Sequence, residues 1–208
     1  MIIAVLAANG RTGRAFVQAA LEAGHTVRAG SLHTGTLPTH ENLTELQCDA
    51  TNEADVTALI AGSDAVASFI GHVKGSPASV QTNAMQVLVR AMEAQGIRRL
   101  ISLTGTGVRV PGDHITLIDR FLNLGVGIVD PARVADGRNH ADVLQKSELD
   151  WTIIRVLKLQ NVTPKPFTLT PHGPTKIYVG REEVARAALQ VLENGTFIQE
   201  LPIISPQK

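Results

Sequence analysis

The sequence predicts an α/β protein with a doubly wound, mostly parallel sheet. Three observations carry this. Apolar, strand-like runs alternate with helix-patterned segments almost from end to end, the connections between them are short, and a glycine-rich turn joins the first run to the first helix. Such alternation gives a sheet covered by helices on both faces, and right-handed crossovers wind it in two directions from its middle.

Ile2 to Ala7 is continuous and apolar, as a strand covered on both sides must be. Gly10 to Gly13 reads as a turn. Arg14 to Ala23 places Phe16, Val17, Ala20 and Leu21 on one helical face and stops at Gly24. His25 to Ser31 is a second strand, Leu32 to Asn42 a loop and Leu43 to Cys48 a third strand. Glu53 to Ala61 is a short helix whose first turn is acidic, which suits the helix dipole. Asp64 to Ile70 is a fourth strand. Ser76-Pro77 reads as an N-cap with proline at the first helical position, opening a helix through Val80, Val87, Leu88 and Met92 to Gly96. Arg99 to Thr104 is a fifth strand. Residues 113 to 148 read as two helical pieces broken over Gly125–Pro131. Trp151 to Val156 is a sixth strand. Phe167 to Thr170 and Lys176 to Val179 flank Pro171-His172-Gly173-Pro174 and read as a small hairpin. Arg181 to Glu193 is the last helix and Thr196 to Ile204 the last strand.

Composition narrows the function classes. The 208 residues suit one domain, taken here as 1–208. Nineteen Lys plus Arg balance nineteen Asp plus Glu, and aromatics are 3 %, so neither a nucleic-acid binder nor an acidic-membrane binder is expected. The single cysteine, Cys48, leaves no intramolecular disulfide framework. No histidine pair has His-x-x-x-His spacing, so no metal site is expected. The opening MIIAVLAANGRTG lacks a basic flank and reads as a buried strand rather than a leader. With no apolar stretch near the roughly 20 residues of a membrane span, the expectation is a soluble, cytoplasmic protein.

The strongest chemical signal is Ala7-Ala8-Asn9-Gly10-Arg11-Thr12-Gly13, between the first strand and first helix. Glycines there let backbone approach a pyrophosphate, while the helix N-terminus presents unpaired N–H groups to the anion. The alternative is a tight strand-to-helix turn with no ligand, which the doubly wound context disfavours. Arg11 sits at the helix start, where a cation opposes the dipole. An adenosine 2′-phosphate beside it would reverse that penalty, whereas a solvated arginine needs no ligand. The second strand ends Gly30-Ser31-Leu32-His33 without the acidic residue that binds the ribose hydroxyls of NAD. NADP(H) is therefore favoured over NAD(H), with Ser31 and His33 as donors to the phosphate.

These residues, with later ones, resemble the atypical short-chain dehydrogenase/reductase families. The look is closest to the small NAD(P)H-binding group that includes flavin reductase/biliverdin-IXβ reductase and the NmrA-like dinucleotide sensors. The resemblance covers nearly the whole chain and implies a Rossmann-type sheet with a small C-terminal substrate-side region. Ala7, Asn9, Gly10, Arg11, Thr12 and Gly13 match the family's phosphate turn, with Ala7 where a first glycine is more usual. Cys48-Asp49-Ala50-Thr51 resembles the segment after the third strand, where Asp49 would face adenine beside Ala50. Ala65 to Gly71 resembles the fourth strand, placing Ile70 and Gly71 on the cofactor ribose. Ile101-Ser102-Leu103-Thr104 resembles the fifth, with Leu103 and Thr104 under the nicotinamide. LQKSELDWTIIR (144–155) and IYVGREEVA (177–185) resemble later family stretches, with Val156 where a proline is usual.

The Tyr-x-x-x-Lys pair of catalytically complete relatives is absent: the one tyrosine is Tyr178, and Glu182 stands four residues on. Hydride transfer needs mainly position, and the cofactor carries the chemistry. Ligands of open α/β sheets lie beyond the strands' carboxyl ends, which selects Gly71, His72, Lys74, Thr104 and Leu157. Thr104 would hydrogen-bond the nicotinamide or substrate, or merely end its strand. Lys74 would reach a phosphate, or merely be solvated. His114, Arg133, Asp136, Arg138 and His140 occupy the region that bears Tyr and Lys in relatives, and His140 is a candidate proton donor against a plain surface histidine. Ile115, Ile118, Phe121 and Leu122 form an apolar stripe read as core, with a substrate lid or dimer contact as the alternatives. The expected function is NADPH-dependent reduction of a small conjugated acceptor such as a flavin or quinone. A nucleotide sensor without turnover is the alternative, and an epimerase- or dehydratase-like enzyme a lesser one. Gly-x-Ser-x-Gly is absent, which removes the main hydrolase alternative.

Overall fold

The computed structural model describes residues 1–207. Along the chain lie β1 (Ile2–Leu6), α1 (Arg11–Glu22), β2 (Thr26–Ser31), β3 (Leu43–Gln47), α2 (Glu53–Ile60), β4 (Ala65–Ser68), α3 (Val80–Gln95) and β5 (Arg99–Gly105). Then come α4 (Leu117–Val129), α5 (Pro131–Gln145), β6 (Asp150–Val156), β7 (Lys158–Gln160), β8 (Phe167–Thr170), β9 (Tyr178–Gly180), α6 (Arg181–Asn194) and β10 (Ile203–Pro206). The main sheet has the order β3-β2-β1-β4-β5-β6-β10-β8 and is parallel except for the β10–β8 edge. The chain winds outward from β1 to β3, returns beside β1 at β4, and winds the other way. The switch point thus falls between β1 and β4, where this architecture opens a ligand crevice.

Side-chain alternation builds two cores. Ile3, Val5, Ile101 and Ile154 point to the face covered by α1 and α6, whereas Ala4, Leu6, Leu100 and Ile153 point to the face covered by α2, α3 and α5. All eight are buried, which is why these strands read as unbroken apolar runs rather than alternating ones. Arg155 is the largest fully buried side chain. Its guanidinium donates to Asp113 Oδ1 and Oδ2 at 2.8 and 2.6 Å and to the carbonyls of Val108, Pro171 and Leu201. Burial opposes the Asp113 charge, but these hydrogen bonds outweigh it and hold the carboxyl below its ordinary pKa. This buried guanidinium thereby ties β6 to the segments that follow β5 and β8 and to the one that leads into β10.

Several expected elements differ. Helix α1 begins at Arg11, so the expected turn is also the helix's first turn. Helix α3 begins at Val80, not at Ser76-Pro77. The Ser76 hydroxyl closes a local turn instead, accepting from Val73 N and donating to Val73 O. Helix α4 runs through Gly125 and Gly127, and the break comes at Asp130, whose backbone (φ −141°, ψ 67°) leaves the helical region that the following proline disfavours. The hairpin does not form. β8 pairs antiparallel with β10, and β9 pairs in parallel with β7, a short strand the sequence did not reveal. Non-local pairing partners outcompete the local turn signal there. The last strand starts only at Ile203, because Phe197 and Gln199 turn the chain with positive φ.

Candidate functional site

The glycine-rich turn is built from backbone constraints. Ala7 adopts φ +56°, which turns the chain off β1, and the Gly10 amide donates to Ala7 O at 3.0 Å. Asn9 N donates to Ser31 Oγ at 3.0 Å and Ala8 N to Gly30 O at 3.0 Å, so the turn is fastened to the end of β2. Gly10 caps α1 with no side chain. The amides of Arg11, Thr12 and Gly13 therefore have no protein partner among the described residues, and Thr12 lines the cavity described below. Gly13 is the close-approach glycine, packed on Ala7 and Ala8. This set fits a dinucleotide pyrophosphate: free amides at the positive end of a twelve-residue helix, with no side chain in the way.

The two arginines of the turn part company. Arg11 lies in a cleft with Asn161–Lys165 and Arg181, and its charge, after burial, is what lowers the pKa of Arg181. Arg14, not singled out from the sequence, reaches the other way. Its Nε donates to Asn9 O at 2.9 Å and its NH1 to Thr36 O at 2.6 Å. Asn9 links it in turn to buried Ser31, through its amide, and to the loop of exposed His33, whose carbonyl receives Asn9 Nδ2 at 3.5 Å. Asp49 and Ala50 follow β3 next door. The Asp49 carboxylate accepts from Thr51 N and Oγ1 at 2.9 and 2.7 Å and so shapes its own turn.

A cavity of about 600 Å³ opens over the carboxyl ends of the central strands. Ile70, Gly71 and His72 come to it from beyond β4, Leu103 and Thr104 from β5, and Val156 and Leu157 from the end of β6. Lys74 is exposed on the loop and does not reach it. His140 does not reach it either, against the proton-donor expectation. It is 1 % exposed between α5 and the central strand β5, 2.7 Å from Ser102 Oγ through Nε2, with no partner for Nδ1. Burial pushes its pKa down to about 4, despite the opposing Asp136 charge, so the ring is neutral near pH 7.

His72 is held differently. Its Nε2 lies 2.9 Å from Asp136 Oδ2, across 64 residues of sequence. Asp136 is buried and also accepts from Gln81 N, Thr82 N and Thr82 Oγ1, thereby capping α3, whose own N-cap Ser79 supplies no side-chain bond. Burial raises the Asp136 pKa, but the hydrogen bonds from Thr82 and Gln81 outweigh it and keep the carboxyl below its ordinary value. Gln81 Nε2 donates to Ile70 O at 2.8 Å and pins the loop on the other side.

The stripe on α4 is not core. Phe121 is 80 % exposed, Ile118 54 % and Leu122 40 %, and the one buried residue of the helix is polar, Asp119. Asp119 pairs with Arg109, and Asn123 Nδ2 donates to Thr106 Oγ1 at 3.1 Å. Polar bonds thus fix α4 to the body while Leu122, Asn123 and Val126 wall the cavity. Tyr178 lies outside the cavity lining, with Lys158 Nζ 5.2 Å over its ring.

Residues 7–195 match the model of a family described as NAD(P)H-binding. A short-chain dehydrogenase/reductase from Veillonella parvula, solved in complex with NADP, superposes with TM-score 0.81 at 22 % identity, covering 98 % of this chain and 94 % of that one. A Streptococcus pneumoniae protein provisionally described as an NADH-flavin reductase gives TM-score 0.79 at 18 % identity over the full length of both chains. A Bacillus halodurans protein provisionally described as an NAD-dependent epimerase/dehydratase gives 0.79 at 21 % identity, covering 100 % and 95 %. At these identities the three likenesses concern the fold.

Proposed function

The chain belongs to the NAD(P)H-binding family, and from that premise we propose an NADPH-dependent reductase of a small conjugated acceptor, of flavin or quinone type, working by direct hydride transfer. The observation that carries this is the cavity. Its volume falls in the range of small-molecule sites, its walls are mainly aliphatic and glycine, and Thr12 from the first turn of α1 borders it. The pyrophosphate falls to the amides of Arg11, Thr12 and Gly13. The adenosine end falls between Ser31, His33, Asp49 and Ala50, where no carboxylate follows Ser31 directly and the Arg14 guanidinium offers charge to a 2′-phosphate. Arg11, on the other side of the turn, serves the pyrophosphate common to both nucleotides. Thr104, 5 % exposed, and Gly71 meet the cofactor's reactive end. Bound NADPH supplies a hydride, and the protein supplies position over the strand ends.

The test is paired titration with NADPH and NADH, followed by turnover with a panel of flavins and quinones. Tighter NADPH binding and acceptor-dependent NADPH oxidation are the expected results. Tight binding with no turnover on any acceptor would favour the second reading, a nucleotide sensor. That reading draws support from a cavity lining with no tyrosine and no carboxylate. The same lining, with Tyr178 outside it, disfavours an epimerase of the Tyr-x-x-x-Lys kind.

A further inference from the structure

Reduction of a quinone or flavin by hydride also needs a proton, and the side chains that face the cavity narrow its source. Four of them carry a titratable group: His72, Arg133, Lys158 and Arg181. Guanidinium groups do not give up a proton in proteins, and lysine titrates far above neutrality in the ordinary case. Imidazole is the one type of the four whose ordinary pKa lies near neutral pH. Thr104 brings only a hydroxyl, and His140 is shut away from the cavity.

We propose that His72, oriented by Asp136, is the proton donor to the acceptor in this cavity; the inference rests on the reductase reading above. Asp136 is an ionised carboxylate committed to the N-terminus of α3 and can only accept. His72 Nε2 must therefore carry the hydrogen of their 2.9 Å bond. His72 lines the cavity, and its Nδ1, across Cε1 from Nε2, has no protein partner among the described residues. The cap on α3 is complete without His72, since the Gln81 and Thr82 groups already satisfy it. The histidine thus contributes nothing to that cap that would by itself explain its place.

The balance is simple. A quinone gains one hydride, which NADPH supplies on becoming NADP⁺, and one proton, which leaves Nδ1 of the imidazolium for the quinone oxygen. His72 is left as the neutral tautomer protonated at Nε2, the one its bond to Asp136 selects, and water in the cavity returns the proton to Nδ1. Asp136 is a positioning residue, acting through the ring it holds.

The experiment compares two acceptors in wild type and His72→Gln. 1,4-Naphthoquinone needs hydride and proton, whereas the N-methylacridinium cation is neutralised by hydride alone. His72→Gln should lower kcat on the quinone about 100-fold. The acridinium rate should fall less than threefold, and the NADPH dissociation constant should stay within twofold. Imidazole in the buffer should restore quinone turnover, and not acridinium turnover, to His72→Ala. Independently of turnover, ¹⁵N NMR of the wild-type ring should show hydrogen on Nε2, and Asp136→Asn should mix the tautomers. A quinone rate kept within threefold, an equal fall with both acceptors, or a ring protonated on Nδ1 alone would each overturn the assignment. Wild type that binds NADPH yet reduces neither acceptor would remove the reductase reading and this one with it, a result read before any variant is made.

Discussion

The Cβ that Gly13 lacks would stand 2.3 Å from the carbonyl oxygen of Ala7. It would also come within 2.9 Å of Ala8 Cα and Ala8 O, all backbone atoms of the turn that Gly13 packs against. Nothing there is a flexible tip that could swing aside. Gly13→Ala should therefore cost roughly 2–3 kcal/mol through forced displacement of the turn, even though alanine is the better helix former. It should also abolish nucleotide binding, because the amides of residues 11–13 move with the turn. Urea denaturation and NADPH titration check both. Gly10→Ala meets Ala7 O at the milder distance of 3.1 Å and should cost less.

Ala7 itself sits at φ +56°, a region that a side chain makes unfavourable by about 1 kcal/mol or more. Ala7→Gly should relieve this, offset in part by the greater freedom glycine has when unfolded. The expected outcome is a gain of about 0.5–1 kcal/mol in denaturant unfolding with nucleotide affinity intact. A loss of stability would show that the methyl packs better than its backbone angle suggests.

In the proposed binding mode, Arg11 and Arg14 serve two different charges of the cofactor. Arg14→Ala should weaken NADPH by about 1–3 kcal/mol and leave NADH nearly unchanged, as loss of a charged hydrogen bond to a single phosphate requires. Arg11→Ala should weaken both nucleotides alike. Isothermal titration of each variant with each nucleotide decides it. A selective loss in Arg11→Ala would return the 2′-phosphate to that side chain.

The glycine-rich turn and the strand core were legible because their signals are local. Glycine spacing and unbroken apolar runs encode a helix N-terminus and a doubly covered strand within a few residues. The rest depends on partners distant in sequence. His72 and Asp136 meet only because β4 and α5 converge on the start of α3, and no spacing rule spans 64 residues. Periodicity marked an apolar face on α4 correctly, yet periodicity does not say what covers a face, and here Asp119 rather than Phe121 turns inward. Between β8 and β9 the proline-glycine turn suggested a hairpin, but each strand found its partner elsewhere in the chain.

Phe121 gives that difference a measurable form. A buried phenylalanine truncated to a small side chain costs about 3–5 kcal/mol. With 80 % of its surface exposed, Phe121→Ser should change unfolding stability by no more than about 0.5 kcal/mol. A loss in the larger range would mean that α4 packs inward in solution.

His140 sets an acid limit on the fold. Its pKa is held at about 4 in the folded protein against the ordinary histidine value of 6.5, so below 6.5 the unfolded chain binds a proton that the native ring refuses. Stability is then fully present above pH 6.5 and falls as pH drops toward 4, by about 3 kcal/mol in all at 1.36 kcal/mol per unit. The carboxylates Asp113 and Asp136, whose folded pKa values are lowered, add their losses only at lower pH, beneath the ordinary carboxylate range. His140→Gln keeps a side-chain group able to bond Ser102 Oγ but cannot take up a proton. Its unfolding free energy should be lower than wild type at pH 7, yet nearly flat between pH 6.5 and 4, so that the two curves converge on the acid side. Urea titrations at half-unit intervals across that window give both slopes, and parallel curves would show that the buried imidazole is not what titrates.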